Sequence, residues 1–378
     1  MVEERKLNFK GKRGTNINFN TTLIGKVIDV QQEYITIDGY EINNRERKKI
    51  QLSSKANNNI CGLYDINNLN HIKLNDILSI NNTSIRSLFR DDSNSNFIFA
   101  TVRCNSNCLM CSQPPLDYDD TIENIEIWDI AIDLMPDNIS NIGITGGEPT
   151  LLGNGLVKII NKLLSKYDDI RINILSNGRL QAKSENISLL SKIIKPKNVV
   201  FAIPLYSDIY SKHDYIVQAK DAFYQTCQGI HNLASLGFLI EIRIVLHKLS
   251  LERLPHLAKF IHFNFPFTYH ITFMGLEIIG YTKANKEELI IKDQEIFVDI
   301  LKESLVFLNK WEYNVSIYNT PFCHLPETLW EFAKQSISEW KNSFHDKCDD
   351  CDLKKNCAGF FSWNIKHTDA YPISLNEN

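Results

Sequence analysis

Residues 1 to about 95 read as short strand-like runs, Leu23 to Val30 and Tyr34 to Ile37 among them, broken by Asn-rich turns. Such punctuation predicts a small β-rich domain over residues 1–95. From Phe97 the texture changes to compact apolar runs without polar alternation: FIFATV, NIGIT, IRINIL, NVVFAIPL, FLIEIRIVL and YHITFMG. Parallel strands buried on both faces require runs of this kind. Amphipathic patterns lie between them, as in Leu156 to Tyr167, which puts Val157, Ile160, Leu163 and Leu164 on one side. Six β-α units predict an α/β fold, a parallel barrel or open sheet over residues 96–311, closed by a helical pattern from Glu287 to Trp311. Chemistry in such folds sits at the carboxyl ends of the strands. Residues 312–378 read as a cysteine-bearing extension.

A chain of 378 residues exceeds what one core usually serves, in keeping with a main domain and appendages. Its 43% hydrophobic, 23% charged and 10% aromatic residues exclude a mainly disordered or fibrous chain. The net charge of -4, with no long run of like charge, disfavours a dedicated nucleic-acid binder or polybasic membrane anchor. MVEERKLNFKGKR has no apolar region behind it, and no stretch suits a membrane span, so a soluble, cytoplasmic protein is expected.

Nine cysteines, an odd number, argue against a disulfide framework here. Cys61 and Cys227 stand alone and read as buried packing residues. The rest form two groups. TVRCNSNCLMC gives Cys104-x3-Cys108-x2-Cys111 in the loop after the first strand of the main domain. Three thiolates on a short loop suit three irons of a [4Fe-4S] cluster and leave the fourth iron open. Zinc would want a fourth ligand nearby, yet residues 112 to 211 hold no cysteine or histidine. In the tail, Cys323 precedes Cys348-x2-Cys351-x5-Cys357. Four soft ligands serve either an auxiliary iron-sulfur cluster or structural zinc, with His324 and His345 as further zinc candidates.

Other residues mark strand ends. Thr145-Gly146-Gly147-Glu148-Pro149 follows the second predicted strand, Ser176-Asn177-Gly178 the third and Pro204-Leu205-Tyr206-Ser207 the fourth. Taken singly, each could be a simple turn. Arg243 is charged amid IEIRIVL and needs a partner, either a ligand carboxylate or a structural acid. His213-Asp214 reads as a solvated loop pair, and Glu277 as a weaker candidate for a substrate-facing acid.

The C-x3-C-x2-C loop after the first strand resembles the signature of the radical S-adenosylmethionine (SAM) superfamily, although Met110 stands where an aromatic residue is usual. The resemblance implies a partial (β/α)6 parallel barrel. It also implies that the GGEP segment, Gly146, Gly147, Glu148 and Pro149, holds the methionine amino group of SAM, an ammonium that a carboxylate and free carbonyls would suit. Ser176, Asn177 and Ser207 would meet its ribose and carboxylate, Arg243 could meet the same carboxylate, and Met110 would pack near the adenine. The tail resembles auxiliary-cluster domains of peptide-modifying members, but Phe361 stands where those continue with another cysteine. One auxiliary cluster on Cys323, Cys348, Cys351 and Cys357 is therefore the expectation, with zinc the alternative.

Longer strings, CNSNCLMCSQPP, GGEPTLL, IPLYS and TPFCHLPETLWEFAKQSISEWKNSF leading into CDDCDLKKNCAGFF, resemble the His-Xaa-Ser system radical SAM maturases of the HxsC type over about residues 97 to 365. The resemblance implies reductive cleavage of SAM to a 5'-deoxyadenosyl radical, a ribosomally made peptide or small protein as substrate, an electron donor and a second, paired radical enzyme. Two alternatives stand beside it: modification of a small molecule or RNA base, and a non-catalytic iron-sulfur partner in a maturase complex.

Overall fold

A computed structural model describes residues 7–15, 19, 21–56, 59–292, 294–336 and 341–375. The chain forms two units, one of Met1–Ala100, Asp120–Ile144 and Asn154–Arg171, the other of Thr101–Asp119, Thr145–Gly153 and Ile172–Asn378.

In the first unit, strands Asn8–Lys10, Ser84–Phe89, Ile77–Ile80, Leu23–Val30, Tyr34–Glu41, Arg47–Ser53, Gly62–Tyr64 and Lys12–Arg13 form one sheet in that order. Its pairs are antiparallel except for Gly62–Tyr64 against Arg47–Ser53. Leu23, Val27, Ile35, Ile37, Ile50, Leu52 and Leu78 meet on one face as a core. Each such buried aliphatic side chain contributes roughly 1.5–3 kcal/mol of transfer free energy. Helices Thr121–Leu134 and Asn154–Lys166 belong to the same unit. Val157, Ile160, Leu163 and Leu164 of the second helix are buried, as its periodicity predicts. Burial alone would raise the Asp129 carboxyl, but Lys162, Lys158 and Arg45 surround it and hold it at about 2.

The second unit is a parallel sheet. Strands Arg171–Leu175, Val199–Pro204, Leu239–Leu246, His270–Gly275, Val315–Tyr318 and Ala333–Lys334 pair in sequence order, each neighbour parallel. Val199 to Ile203 are all buried, which explains the unbroken apolar run there. The mixed α/β class and the parallel sheet predicted from the sequence are both present. Two details differ. The 287–311 pattern is interrupted, because Ile290 is extended between helices Lys286–Leu289 and Gln294–Lys310. The sheet also continues past it through Val315–Tyr318, a strand of four residues too short to stand out as a pattern. Among the described residues no helix is long and apolar enough to cross a membrane.

Candidate active site

The loop carrying Cys104, Cys108 and Cys111 belongs to the parallel-sheet unit and is anchored on two sides. Asn107 and Leu109 donate their backbone N–H to the carbonyls of Val217 and Ile216, at the end of helix Tyr210–Val217 (3.0 Å each). From the other side, Tyr281 N–H donates to the Cys111 carbonyl (2.9 Å), Thr282 Oγ1 to that of Met110 (3.2 Å) and Asn285 Nδ2 to that of Leu109 (2.9 Å). Gly280 is required at this junction: it has φ +54°, and a Cβ there would lie 2.3 Å from the Cys111 carbonyl oxygen. Met110 is buried among Tyr206, Ile216, Val217 and Leu289. Burial, with Glu148 nearby, pushes the Cys104 thiol up to about 11. Burial, with Cys104 and Cys111 nearby, pushes Cys108 to about 12, and burial also raises Cys111. Metal-free, all three are thiols at neutral pH, and a metal must displace their protons.

The GGEP turn binds the base of this loop. Gly147 N–H donates to the Thr101 carbonyl (2.7 Å) and Glu148 N–H to that of Arg103 (2.8 Å). A Cβ on Gly147 would sit 2.0 Å from the Arg103 carbonyl oxygen, so only glycine allows the approach. Pro149 opens a short 3-10 turn that Glu148 caps, accepting from Thr150 N–H (3.1 Å). The Glu148 side chain is fully buried, and its carboxylate also accepts from Thr150 Oγ1 (2.5 Å), Ser176 Oγ (2.8 Å) and Asn177 N–H (2.7 Å). Burial pushes this carboxyl up while those donors draw it down. Where the sequence suggested a carboxylate facing a ligand ammonium, the structure gives it four protein donors.

Asn177 passes the connection on. Its Nδ2 donates to Asn105 Oδ1 (2.5 Å) and approaches Cys104 Sγ at 3.9 Å, while its carbonyl accepts from Thr226 Oγ1 (3.0 Å). Arg179 donates to the Asn105 carbonyl, to Ser106 Oγ (3.0 Å) and to Gln225 Oε1 (2.8 Å). Cys104, Glu148, Ser176 and Asn177 thus form one connected set. Arg179 and Thr226 were not legible as members, since an Arg after a turn and a Thr in a helix look like ordinary surface residues.

The remaining candidates have local partners. Ser207 Oγ accepts from Ile209 N–H (3.1 Å). Arg243 is paired with Glu241 (2.5 Å), the structural acid of the two partners considered; Glu241 is also 3.7 Å from His270. Glu277 accepts from Trp363 Nε1 (3.0 Å). The reading of His213-Asp214 as a solvated loop pair is corrected: His213 is buried in helix Tyr210–Val217, stacked on Tyr206, and accepts the Tyr206 N–H, while Asp214 accepts that of Phe223 (2.8 Å). Burial holds its imidazole down at about 3. Cys61 and Cys227 are half-buried rather than fully buried.

In the tail, Cys323, Cys348, Cys351 and Cys357 all line one small cavity of about 20 Å3, walled by Phe344, Phe360 and Pro321. Backbone N–H groups of Ile373 and Gly359 point at Cys351 Sγ and Cys357 Sγ (3.4 Å each). Such donors stabilise thiolates. Neither His324 nor His345 lines the cavity, and His324 Nε2 is bonded to the Asp369 carbonyl (2.8 Å). Among the described residues, no three His, Cys, Asp or Glu side chains converge as ligands of one metal ion would. Four soft sulfurs on one largely apolar space fit a cluster by donor chemistry.

The family model of the radical SAM superfamily matches residues 98–261. No curated protein matches the chain. Among solved structures, Streptococcus suis SuiB bound to S-adenosylmethionine aligns with a TM-score of 0.50 at 16% identity, over 76% of this chain and 77% of that one. Native anSMEcpe with bound AdoMet and Cp18Cys peptide aligns with a TM-score of 0.50 at 15% identity, over 75% and 92%. Against SuiB crystallised otherwise, alone or bound to precursor peptide SuiA, the TM-score is 0.46 and the chain spans about half of that protein's length, 49% and 48%. At these identities the likeness is one of fold.

Proposed function

On the premise that residues 98–261 are a radical SAM domain, and the chain a radical SAM enzyme, we propose that it modifies a ribosomally made peptide or small protein as a maturase of the His-Xaa-Ser type. In this reading Cys104, Cys108 and Cys111 hold the SAM-binding [4Fe-4S] cluster, and the four tail cysteines hold an auxiliary one. The gathering of Cys323, Cys348, Cys351 and Cys357 on one cavity carries the proposal, because an auxiliary cluster is what the tail's resemblance to peptide-modifying enzymes implies. The likeness in fold to anSMEcpe, solved with AdoMet and a peptide, supports it.

The cluster on the triad, when bound, would supply the electron that splits SAM into methionine and a 5'-deoxyadenosyl radical able to take hydrogen from the substrate. The protein's part is placement. Glu148 fixes the turn after one strand to the end of the next through Ser176 and Asn177, and Asn177 with Arg179 fixes Asn105 and Ser106 between the first two cysteines. Met110 and Tyr206 make the wall behind the triad apolar, which keeps water from the reacting atoms. Gly147 lets the GGEP turn close on the Arg103 carbonyl at the base of the cysteine loop.

The test is mass spectrometry of a His-Xaa-Ser repeat peptide incubated anaerobically with reduced enzyme and SAM. A change in peptide mass with 5'-deoxyadenosine formation above the peptide-free rate is expected. Stimulation by a nucleoside or RNA and never by peptide, even with a paired radical enzyme present, overturns the reading.

A further inference from the structure

A second cavity, of about 150 Å3, opens in the parallel-sheet unit at the carboxyl ends of strands Leu239–Leu246, His270–Gly275 and Val315–Tyr318. Its lining is mainly apolar, with Leu246, Leu276, Ile278, Ile290, Phe297 and Phe361 prominent, and among the described residues it includes no Asp, Glu, Lys or Arg. Most of its polar lining is already occupied. Asn364 accepts from Ile278 N–H (2.9 Å) and donates to the Leu276 carbonyl (2.8 Å), Thr368 donates to the Asn364 carbonyl (3.0 Å), and His324 is bonded to the Asp369 carbonyl. Asn319 differs: its Oδ1 is buried and has no hydrogen-bond partner among the described residues. That oxygen is closed to solvent and offers nothing to an occupant of the cavity.

The placement is informative. The stretch 276–291 lines this cavity with Leu276, Ile278, Ile290 and Ile291, and its intervening residues Tyr281, Thr282 and Asn285 hold the cysteine loop. Pro321 and Phe360 are shared with the cavity of the tail cysteines. The space therefore adjoins both sulfur sets. No Lys or Arg is present among its described lining to pair a phosphate, and most of its polar groups are already bonded within the protein. At about 150 Å3 it matches a single apolar side chain.

We propose that this cavity binds an aliphatic or aromatic side chain of the substrate peptide. The inference rests on the peptide reading above and adds the class of residue selected.

The probe is a set of synthetic His-Xaa-Ser peptides with Leu, Phe, Asp or Lys at Xaa, their binding to SAM-loaded holoenzyme followed by fluorescence anisotropy. Leu and Phe peptides should bind at least tenfold tighter than Asp or Lys peptides. Equal affinity across the four in the wild-type enzyme, with all of them modified, overturns the cavity's role and leaves the peptide reading standing. If no peptide binds or is modified while a nucleoside stimulates SAM cleavage, the peptide reading falls and this occupant falls with it.

Discussion

Glu148 accepts the backbone N–H of Asn177 at 2.7 Å, and through that bond a buried carboxylate in one strand-end turn sets the position of another. Asn177 in turn reaches Asn105 in the cysteine loop. The acid thus acts on the site from behind, as a positioning residue.

Glu148→Gln keeps the shape but replaces one acceptor oxygen with an N–H2 group that must face a donor. Losing a charge-assisted hydrogen bond costs about 1.5–3 kcal/mol of the turn's own stability, so the strand-end turn and the cysteine loop it positions should loosen and SAM affinity should fall. An unchanged dissociation constant by calorimetry would show the turn to be only a turn.

Replacing Cys104, Cys108 and Cys111 together with alanine should abolish 5'-deoxyadenosine formation, because the three candidate iron ligands are lost. In the intact protein the thiols of Cys104 and Cys108 sit at about 11 and 12, so iron competes with protons for them. Iron uptake during anaerobic reconstitution should therefore rise with pH over the neutral to mildly alkaline range. Turnover in the triple variant, measured by chromatography, would sink the assignment.

Metal analysis should find roughly eight irons per chain, two cubes, rather than roughly four irons and one zinc. Cys348→Ala with Cys351→Ala should block peptide product while leaving some abortive SAM cleavage. Stoichiometric zinc after reconstitution would settle the tail the other way.

Arg179→Lys keeps the charge but cannot reproduce three donations, to Asn105, Ser106 and Gln225. The cysteine loop should loosen, and cluster absorbance should decay several-fold faster in air than in the wild type. Equal decay, with equal SAM affinity, would show that the arginine is dispensable for the loop.

His213 and His247 are buried, and burial holds each imidazole down at about 3. In the unfolded chain each takes a proton near 6.5. Between these values the unfolded state binds protons that the folded state refuses, so stability falls as pH drops below about 6.5 and is unaffected above it. The loss is ~2 kcal/mol for each by pH 5. Urea melts at pH 7.5 and 5 should show it, and His213→Gln should flatten the slope; an unaltered slope would mean that His213 is not held neutral.

The main strands were legible because parallel strands buried on both faces must be apolar at successive positions, as Val199 to Ile203 are. The cysteine loop and the GGEP turn stood out by spacing. What escaped was relational. Nothing in the string SNGR announces that Arg179 reaches Asn105, because side-chain direction depends on a neighbouring strand that sequence order does not supply. His213 misled for the opposite reason: a polar pair after a strand looks wet, but stacking on Tyr206 takes the ring inside. The Val315–Tyr318 strand is short and lies among cysteine signals that drew the reading elsewhere.

Gly280 lets the chain pass against the Cys111 carbonyl, and the same stretch supplies Ile278, two residues before it, and Ile290, ten after it, to the apolar cavity. One segment thus serves both the cysteine loop and the cavity. Any energy that passes through it passes equally in both directions: by whatever factor an occupant of the cavity tightens the hold on SAM, SAM must tighten the hold on that occupant. Order of arrival can then govern speed, but the final balance is indifferent to which guest came first.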